Sequence, residues 1–187
     1  MMLSGFLPRR FIVWKLKIPL KIKIFLWYLE KGVTLTKDNL IKRKWKGNSL
    51  CCFFNNTETI QHLFFDCHAA KFVWNSIYFT FGIQPPSNIT DMLGPWLGGL
   101  PHKFRKQLLI GVIAFCWAIW LTRNDAVFSW IVPNSYLQVI FRGTYWARTW
   151  SLLSKEKARE FLLKCCRNLE GVMMDFGQEV FGNLGKD

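Results

Sequence analysis

Acidic residues are scarce in this sequence, and no motif of paired aspartates occurs. There are 12 Asp and Glu in 187 residues, against 25 Lys and Arg. A nucleic-acid polymerase needs grouped carboxylates to hold two magnesium ions. A Gly-rich phosphate loop and a serine-nucleophile motif are missing as well. We therefore expect a protein that is not an enzyme and that takes no small-molecule substrate.

The cysteines lack the spacing of a disulfide framework. Six occur, at positions 51, 52, 67, 116, 165 and 166, and four of them form two adjacent pairs. Residues 1–8 are apolar, but they are short for a secretory signal and are followed, not preceded, by two arginines. Since stable disulfides belong to oxidising compartments, we expect the protein in the nucleus or the cytoplasm.

Residues 107–122 form an uncharged apolar run that raises the question of a membrane span. A helix of this length covers roughly 24 Å, whereas the hydrocarbon core of a bilayer is about 30 Å thick. We therefore expect a buried helix and no membrane partner. Arg123 and Asn124 follow the run, and we expect them to cap that helix and to bind backbone carbonyls.

Positive charge is concentrated in the first quarter of the chain. Residues 1–46 contain twelve Lys and Arg but two acidic residues, so they carry ten of the net charge of +13. Such a basic face attracts polyanions, nucleic acid first and anionic lipid second. A solvated surface that keeps an apolar protein in solution is the other interpretation. The residues predicted to contact phosphates are Lys21, Lys23, Lys42, Arg43, Lys44 and Lys46.

Apolar residues make up 51% of the chain, and ten tryptophans are present. This is enough to bury a core. We expect the Trp-rich faces to form core rather than platforms for stacking bases. Aromatic side chains that stay exposed would indicate a protein partner.

The apolar periodicity predicts a mainly α-helical fold in three parts. A small module spans residues 11–81, a linker rich in Pro and Gly spans 82–102, and a helical C-terminal region spans 103–181. The helices predicted in the last region lie at about 103–130, 134–152 and 154–181.

Two helices are predicted ahead of the cysteines. The first runs over about 20–31 and is ended by Gly32. It would bring Ile24, Trp27 and Tyr28 together at i, i+3, i+4 spacing.

The second of these helices begins at Thr36, a favourable N-cap residue, and closes near Trp45. Its periodicity places Leu40 and Ile41 toward the core. The basic residues between Ile41 and Trp45 would then face solvent.

Cys51, His62 and Cys67 have the residue types and the spacing of metal ligands. Zinc in a structural site takes four tetrahedral ligands from Cys thiolates and His nitrogens. His62 and Cys67 would lie one turn apart on a short helix, and a further helix would continue to about residue 81. Phe54 stands where a Cys-x-x-Cys pair would have its second thiolate, so one ligand is missing.

Two residues are candidates for the ligand missing at Phe54. Cys52 follows Cys51 directly, and adjacent side chains point in different directions; His68 likewise follows Cys67. Without metal the cluster would be buried core, since free Cys is often buried. Three ligands could also hold a catalytic zinc, with Glu58 as the general base. We disfavour this interpretation, because nothing else in the sequence builds a pocket around the site.

These residues and their flanks carry a resemblance to a family. The segments concerned begin at Trp14, Leu35 and Glu58, the last ending at Cys67, and are followed by Trp74. In order and spacing they resemble the reverse-transcriptase zinc-binding domain that follows the polymerase in plant LINE-type (non-LTR) retrotransposons. Downstream, the segment from Trp117 to Phe128, with its Trp-x-x-Arg-Asn motif, resembles one that commonly trails that domain.

The resemblance covers about residues 11–80 and implies metal ligands at positions 51, 54, 62 and 67, of which three match. It implies a helical zinc-knuckle-like module with a structural zinc, and binding of RNA or DNA without sequence specificity. The function expected is that of a non-enzymatic nucleic-acid-binding remnant of a retrotransposon reverse transcriptase, with a partly degraded zinc site. The alternatives are a protein-interaction or scaffold protein and an inert product of a decayed element.

Overall fold

The computed structural model describes residues 9–182, with side chains over 12–176. The prediction of a mainly α fold is confirmed, since the one β feature in this part of the chain is an isolated antiparallel bridge between Leu50 and Thr57. A π-helical turn occupies His62–Asp66. The α-helices are α1 Arg9–Lys15, α2 Leu20–Glu30, α3 Lys37–Lys42, α4 His68–Phe81, α5 Ile89–Met92, α6 Pro95–Gly98, α7 Arg105–Phe128, α8 Leu137–Ser151 and α9 Glu156–Gly182.

Helix α2 has the predicted bounds but buries a different face. Gly32 follows the helix with φ of 68°, a conformation that suits glycine. The side chains of Ile24, Trp27 and Tyr28 lie together as expected, yet each is 40% or more exposed. The buried residues are Ile22, Phe25, Leu26 and Leu29. Because α2 is apolar on both faces, periodicity alone does not choose between them; packing against the rest of the fold does.

Helix α3 is shorter than predicted, and a polar residue lies on its buried face. Asn39 is 8% exposed, and its amide donates hydrogen bonds to the carbonyls of Gly32 and Thr34, both at 2.8 Å. Leu40 is half-buried and Ile41 is exposed, so the prediction that both face inward is wrong. The buried amide thus finds hydrogen-bond partners in the turn between α2 and α3, as a buried polar group requires.

The segment 82–102, predicted as a linker, contains α5 and α6 and contributes to the core. Met92 is fully buried, and its sulfur lies 4.0 Å from the sulfur of Cys116 on α7. Leu93, Leu97 and Leu100 are also buried. Its Pro and Gly residues bend the chain between short helices instead of forming an extended spacer.

Helices α7, α8 and α9 form a packed bundle. Among residues 9–182, α7 is the helix long and apolar enough to cross a membrane by length and composition alone, but 61% of its most apolar stretch is buried inside this fold. Gly143 of α8 lies against Phe115 of α7, where an added Cβ would be 2.2 Å from the ring. Arg148 of α8 makes a two-pronged ion pair with Glu170 of α9, with both distances at 2.5 Å.

A single hydrophobic core joins these elements. It extends from Val13 in α1 to Met173 in α9 and includes Leu63 of the π-helical turn and Ile113 of α7. Residues of the predicted module and of the predicted C-terminal region therefore share one core.

Candidate metal centre

A tight loop presents Cys51. The amide of Cys51 donates to the carbonyl of Asn56 at 2.8 Å, and the amide of Asn56 donates to the carbonyl of Phe54 at 2.7 Å. The amide of Phe53 points at the Cys51 sulfur, 3.4 Å away. Because backbone bonds close this loop, its shape does not depend on which side chain stands at position 54.

The π-helical turn brings His62 and Cys67 to the same side. The amide of Cys67 donates to the carbonyl of His62 at 2.8 Å, which closes the wider turn. Cys67 is also the N-cap of α4, where its sulfur accepts from the amide of Ala70 at 3.4 Å. The positive end of a helix favours negative charge, and the amides there lower the pKa of Cys67, although burial and its contact with Cys51 raise it by more.

Cys51, His62 and Cys67 are all buried, and one ligand atom from each lies within 4.8 Å of the other two. Nε2 of His62 is buried and has no hydrogen-bond partner among the described residues. Buried polar atoms nearly always have a partner, and an imidazole nitrogen without one, beside two sulfurs, is typical of a metal ligand. These three residues fit a zinc ion and would hold it.

The thiols of Cys51, Cys52 and Cys67 differ in the direction of their pKa shifts. The pKa of Cys51 is lowered well below its ordinary value because Cys52 and Cys67 donate hydrogen bonds to its sulfur. The pKa values of Cys52 and Cys67 are raised because their bonds to Cys51 and their burial both favour the neutral thiol. The lowered pKa of Cys51 favours its thiolate, which is the form that binds metal.

Neither candidate substitute joins the three-residue cluster. Cys52 groups with Cys51 and Glu58 instead. His68 is exposed, and its ring lies 4.0 Å from the ring of Phe54. The Phe54 ring is also stacked on His62 at 6.3 Å and is itself 40% exposed. An aromatic side chain therefore covers the cluster where the resemblance implies a fourth ligand.

Glu58 connects the loop that carries Cys51 to α7 through a buried ion pair with Arg123. One carboxylate oxygen, Oε1, accepts from Nε and Nη2 of Arg123 at 3.0 and 2.6 Å and from the amide of Lys37 at 3.0 Å. Glu58 is fully buried and Arg123 is 1% exposed. The guanidinium also stacks on Trp120 at 5.0 Å. Glu58 is held in a structural contact, which leaves it unsuited to the role of a general base.

The prediction that Arg123 and Asn124 cap a helix is wrong, because both lie inside α7. The predicted contact with a backbone carbonyl is present, since Nη2 of Arg123 donates to the carbonyl of Leu35 at 3.4 Å. The pairing with Glu58 was missed by sequence reasoning. The sequence offered no local signal for it, because Glu58 lies among polar residues and Arg123 is followed by Asn124 and Asp125.

The predicted phosphate contacts separate into two groups. Lys42, Arg43, Lys44 and Lys46 are exposed on and after α3. Lys21 lies over the rings of Trp117 and Trp146, at 5.8 and 5.4 Å. Lys23 donates to the carbonyl of Trp14 at 2.9 Å. Within the group on and after α3, Lys42 pairs with Asp38 at 3.1 Å. Arg43, Lys44 and Lys46 are therefore the predicted contacts without such partners among the described residues.

Comparison with known families gives a match, over residues 8–74, to the model described as zinc-binding in reverse transcriptase. The matched stretch contains Cys51, His62 and Cys67. It supports a reverse-transcriptase zinc-binding domain in this part of the chain, and together with the cluster it suggests a zinc-binding module related to retrotransposon proteins. Comparisons with curated proteins and with solved structures gave no match.

Proposed function

We propose that the protein is a non-enzymatic nucleic-acid-binding module derived from a retrotransposon reverse transcriptase of the plant LINE type. Its zinc is structural and holds the loop that carries Cys51 against the π-helical turn. Its basic surface contacts the phosphates of RNA or DNA without reading sequence. We place its activity in the nucleus or the cytoplasm.

The observation that supports the proposal most is the buried cluster of Cys51, His62 and Cys67 inside the family match. The exposed cations after α3 adjoin this module, since Lys37 at the start of α3 donates to the carbonyl of Leu50 at 2.6 Å. A metal that orders the loop carrying Cys51 would thus also order the cations after α3.

Metal content tests the first half of the proposal. Protein purified without chelator is expected to contain about one zinc per chain, or to take it up on titration, because the ligand set is assembled only in the folded chain. Cys67→Ser is expected to lose that zinc. A control, Cys116→Ser, removes a buried thiol from α7 that is outside the cluster. Zinc content near zero in the unaltered protein, after titration, rejects the metal assignment.

Salt dependence tests the second half. The logarithm of the binding constant for an oligonucleotide should fall linearly with the logarithm of salt concentration, with a slope of about −0.7 to −0.9 per phosphate contact. Replacing all four exposed cations after α3 by Gln should reduce that slope by about three. The matched control replaces four exposed cations by Gln, one just before α9 and three within it: Lys155, Lys157, Arg159 and Lys164. An equal reduction of the slope by the two sets of replacements would reject a phosphate-binding surface at α3.

A second candidate, a protein-interaction role, is favoured by exposed apolar side chains after α7. Phe128, Trp130, Ile131 and Val132 are each 60% or more exposed. Contiguous exposed apolar groups mark interaction surfaces. Flat salt dependence of oligonucleotide binding, or no binding near about 100 mM salt, would favour this role over the first.

A further inference from the structure

A groove with an aromatic floor lies between α2, the turn that follows it and α7. Phe25 packs edge-on against Trp117, with ring centroids 5.1 Å apart, and lies 6.1 Å from Trp120. Phe25 is buried and the two indoles are half-buried, so these rings form the floor. The lining includes Lys21, Ile24, Tyr28, Val33, Leu35 and Arg43.

The rim of this groove is apolar and open to solvent. Ile24, Tyr28, Val33 and Leu35 are between 39% and 44% exposed. Trp27 extends the surface beyond the groove, with its ring 5.2 Å from that of Tyr28. Exposed apolar patches of this kind are surfaces for a partner.

Charge selects the kind of partner. Lys21 and Arg43 are the charged residues that line the groove, and no acidic residue lines it. A partner that is flat, aromatic and anionic satisfies both the rings and the two cations. Bases of a single strand have these properties, because every base offers a π-face and every nucleotide a phosphate. Bases within a duplex are stacked on one another and do not offer that face.

We propose that this groove binds single-stranded nucleic acid, with a base stacked on Tyr28 above the indole floor and phosphates held by Lys21 and Arg43. The inference rests on the proposed function and adds to it a place of contact and a preference for single strands. The predicted basic surface attracts single-stranded and duplex nucleic acid alike, whereas the groove binds the single strand.

The test compares binding of a labelled uridine oligomer of about twelve nucleotides with that of an RNA duplex of equal length, by fluorescence polarisation near 100 mM salt. The unaltered full chain is expected to bind the single strand more tightly. Tyr28→Ala should weaken that binding by about tenfold, the size typical for one lost stacking contact. Tyr28→Phe keeps the ring and should bind like the unaltered chain. Duplex binding should be the same in all three.

Matched controls are available for both parts of the groove. Tyr78→Ala removes the same side chain from α4, outside the groove, at 40% exposure against 44% for Tyr28. Arg43→Gln should lower the salt slope for the single strand by about 0.7. Arg167→Gln, an exposed residue of α9, should leave it unchanged. Both Arg variants alter exposed side chains, so they test the contribution of Arg43 to single-strand binding even if Tyr28→Ala lowers stability.

Each outcome bears on a separate claim. Equal binding of single strand and duplex, or equal losses in Tyr28→Ala and Tyr78→Ala, overturns the groove and leaves the proposed function standing. No binding of either RNA rejects the proposed binding of RNA and the groove with it. If Tyr28→Ala abolishes self-association in sedimentation velocity while RNA binding is unchanged, the groove is a protein interface and the inference is wrong.

Discussion

Phe54 occupies the space beside the three candidate ligands. Its ring packs on His68 and His62, so an aromatic group stands where a thiolate would complete a tetrahedron. The loop keeps its shape because backbone hydrogen bonds from Cys51 and Asn56 close it. At the scale of the residue, we therefore expect Phe at position 54 to give weaker metal binding than Cys would, while the geometry of the other candidate ligands is retained.

Phe54→Cys is expected to raise zinc affinity by at least about a hundredfold, because structural zinc sites draw roughly 10–16 kcal/mol from the full ligand set. Thermal stability should rise in zinc and return to its starting value with chelator. Competition with a chromophoric chelator measures the affinity. Asn55→Cys adds an exposed thiol one residue away and serves as the control. Equal gains in both variants, or none, would show that the ligand assignment is wrong.

The buried pair of Glu58 and Arg123 is expected to be the most sensitive polar contact in the fold. Arg123→Met leaves a buried carboxylate without its main partner and should lower the free energy of unfolding by about 3–5 kcal/mol, measured by urea denaturation. Arg142→Met is the control, since its ion pair with Asp125 is partly exposed and should contribute about 1 kcal/mol or less. Similar losses in the two variants would contradict a special role for the buried pair.

At the scale of the element, the C-terminal region is held together by close packing between its helices. Helices α7 and α8 approach each other at Gly143, which has the Phe115 ring against its Cα. Phe115 is itself buried, so it cannot move aside freely. The α8–α9 contact adds a polar link, in which Arg148 and Thr144 both donate to Glu170.

Gly143→Ala is expected to destabilise the protein by about 1–3 kcal/mol, because the new methyl group overlaps the Phe115 ring and overpacks the crossing. Gly171→Ala in α9 has nothing within 4 Å of the added Cβ and should instead stabilise by up to about 1 kcal/mol through helix propensity. Thermal unfolding of the two variants gives the comparison. The same sign of change in both would refute the packing argument.

The link to Glu170 predicts a dependence of stability on pH. Burial raises the pKa of Glu170, but hydrogen bonds from Arg148 and Thr144 outweigh it, so the pKa lies below its ordinary value. Such a carboxylate adds stability above its unfolded pKa, about 4.3, and loses it as pH falls through the lower folded value. The stability difference between the unaltered chain and Glu170→Gln should thus be present at neutral pH and should shrink in acid below that range. Glu160→Gln, an exposed site on α9, should show no such change.

At the scale of the whole molecule, the loop that carries Cys51 and the bundle of α7, α8 and α9 stabilise each other. One core runs through both, and Arg123 of α7 neutralises Glu58 of that loop. The family match ends at residue 74, but the contacts that hold the matched part in place extend to α7. The part of the chain that holds the three candidate ligands in place is therefore larger than the matched stretch.

We expect one cooperative unfolding transition for the full chain, because a shared core couples its parts. Far-UV circular dichroism and tryptophan fluorescence should give coincident denaturation curves. A fragment of residues 1–81 should lack a cooperative transition, since it would expose the core face of α2 and leave Glu58 without Arg123. Two separate transitions in the full chain, or a fragment that unfolds cooperatively, would contradict a single core.

Local signals were sufficient for much of the fold. Gly32 ends α2 and Gly82 ends α4 because both adopt positive φ, and such glycine stops are visible in sequence. The spacing of Cys51, His62 and Cys67 predicted a cluster that the structure brings together. The inward face of α2 and the burial of Asn39 were not predictable, since each depends on which distant element packs there.

By itself, the sequence determined the helical class, most helix bounds and three members of the candidate site. These follow from propensities, turn residues and spacings, which act over a few neighbouring residues. Tertiary structure alone decided that 82–102 belongs to the core, that Glu58 pairs with Arg123, and that Tyr28 faces an open groove. Those outcomes depend on contacts between residues far apart in the chain, where the apolar area buried and the pairing of buried charge outweigh local preference.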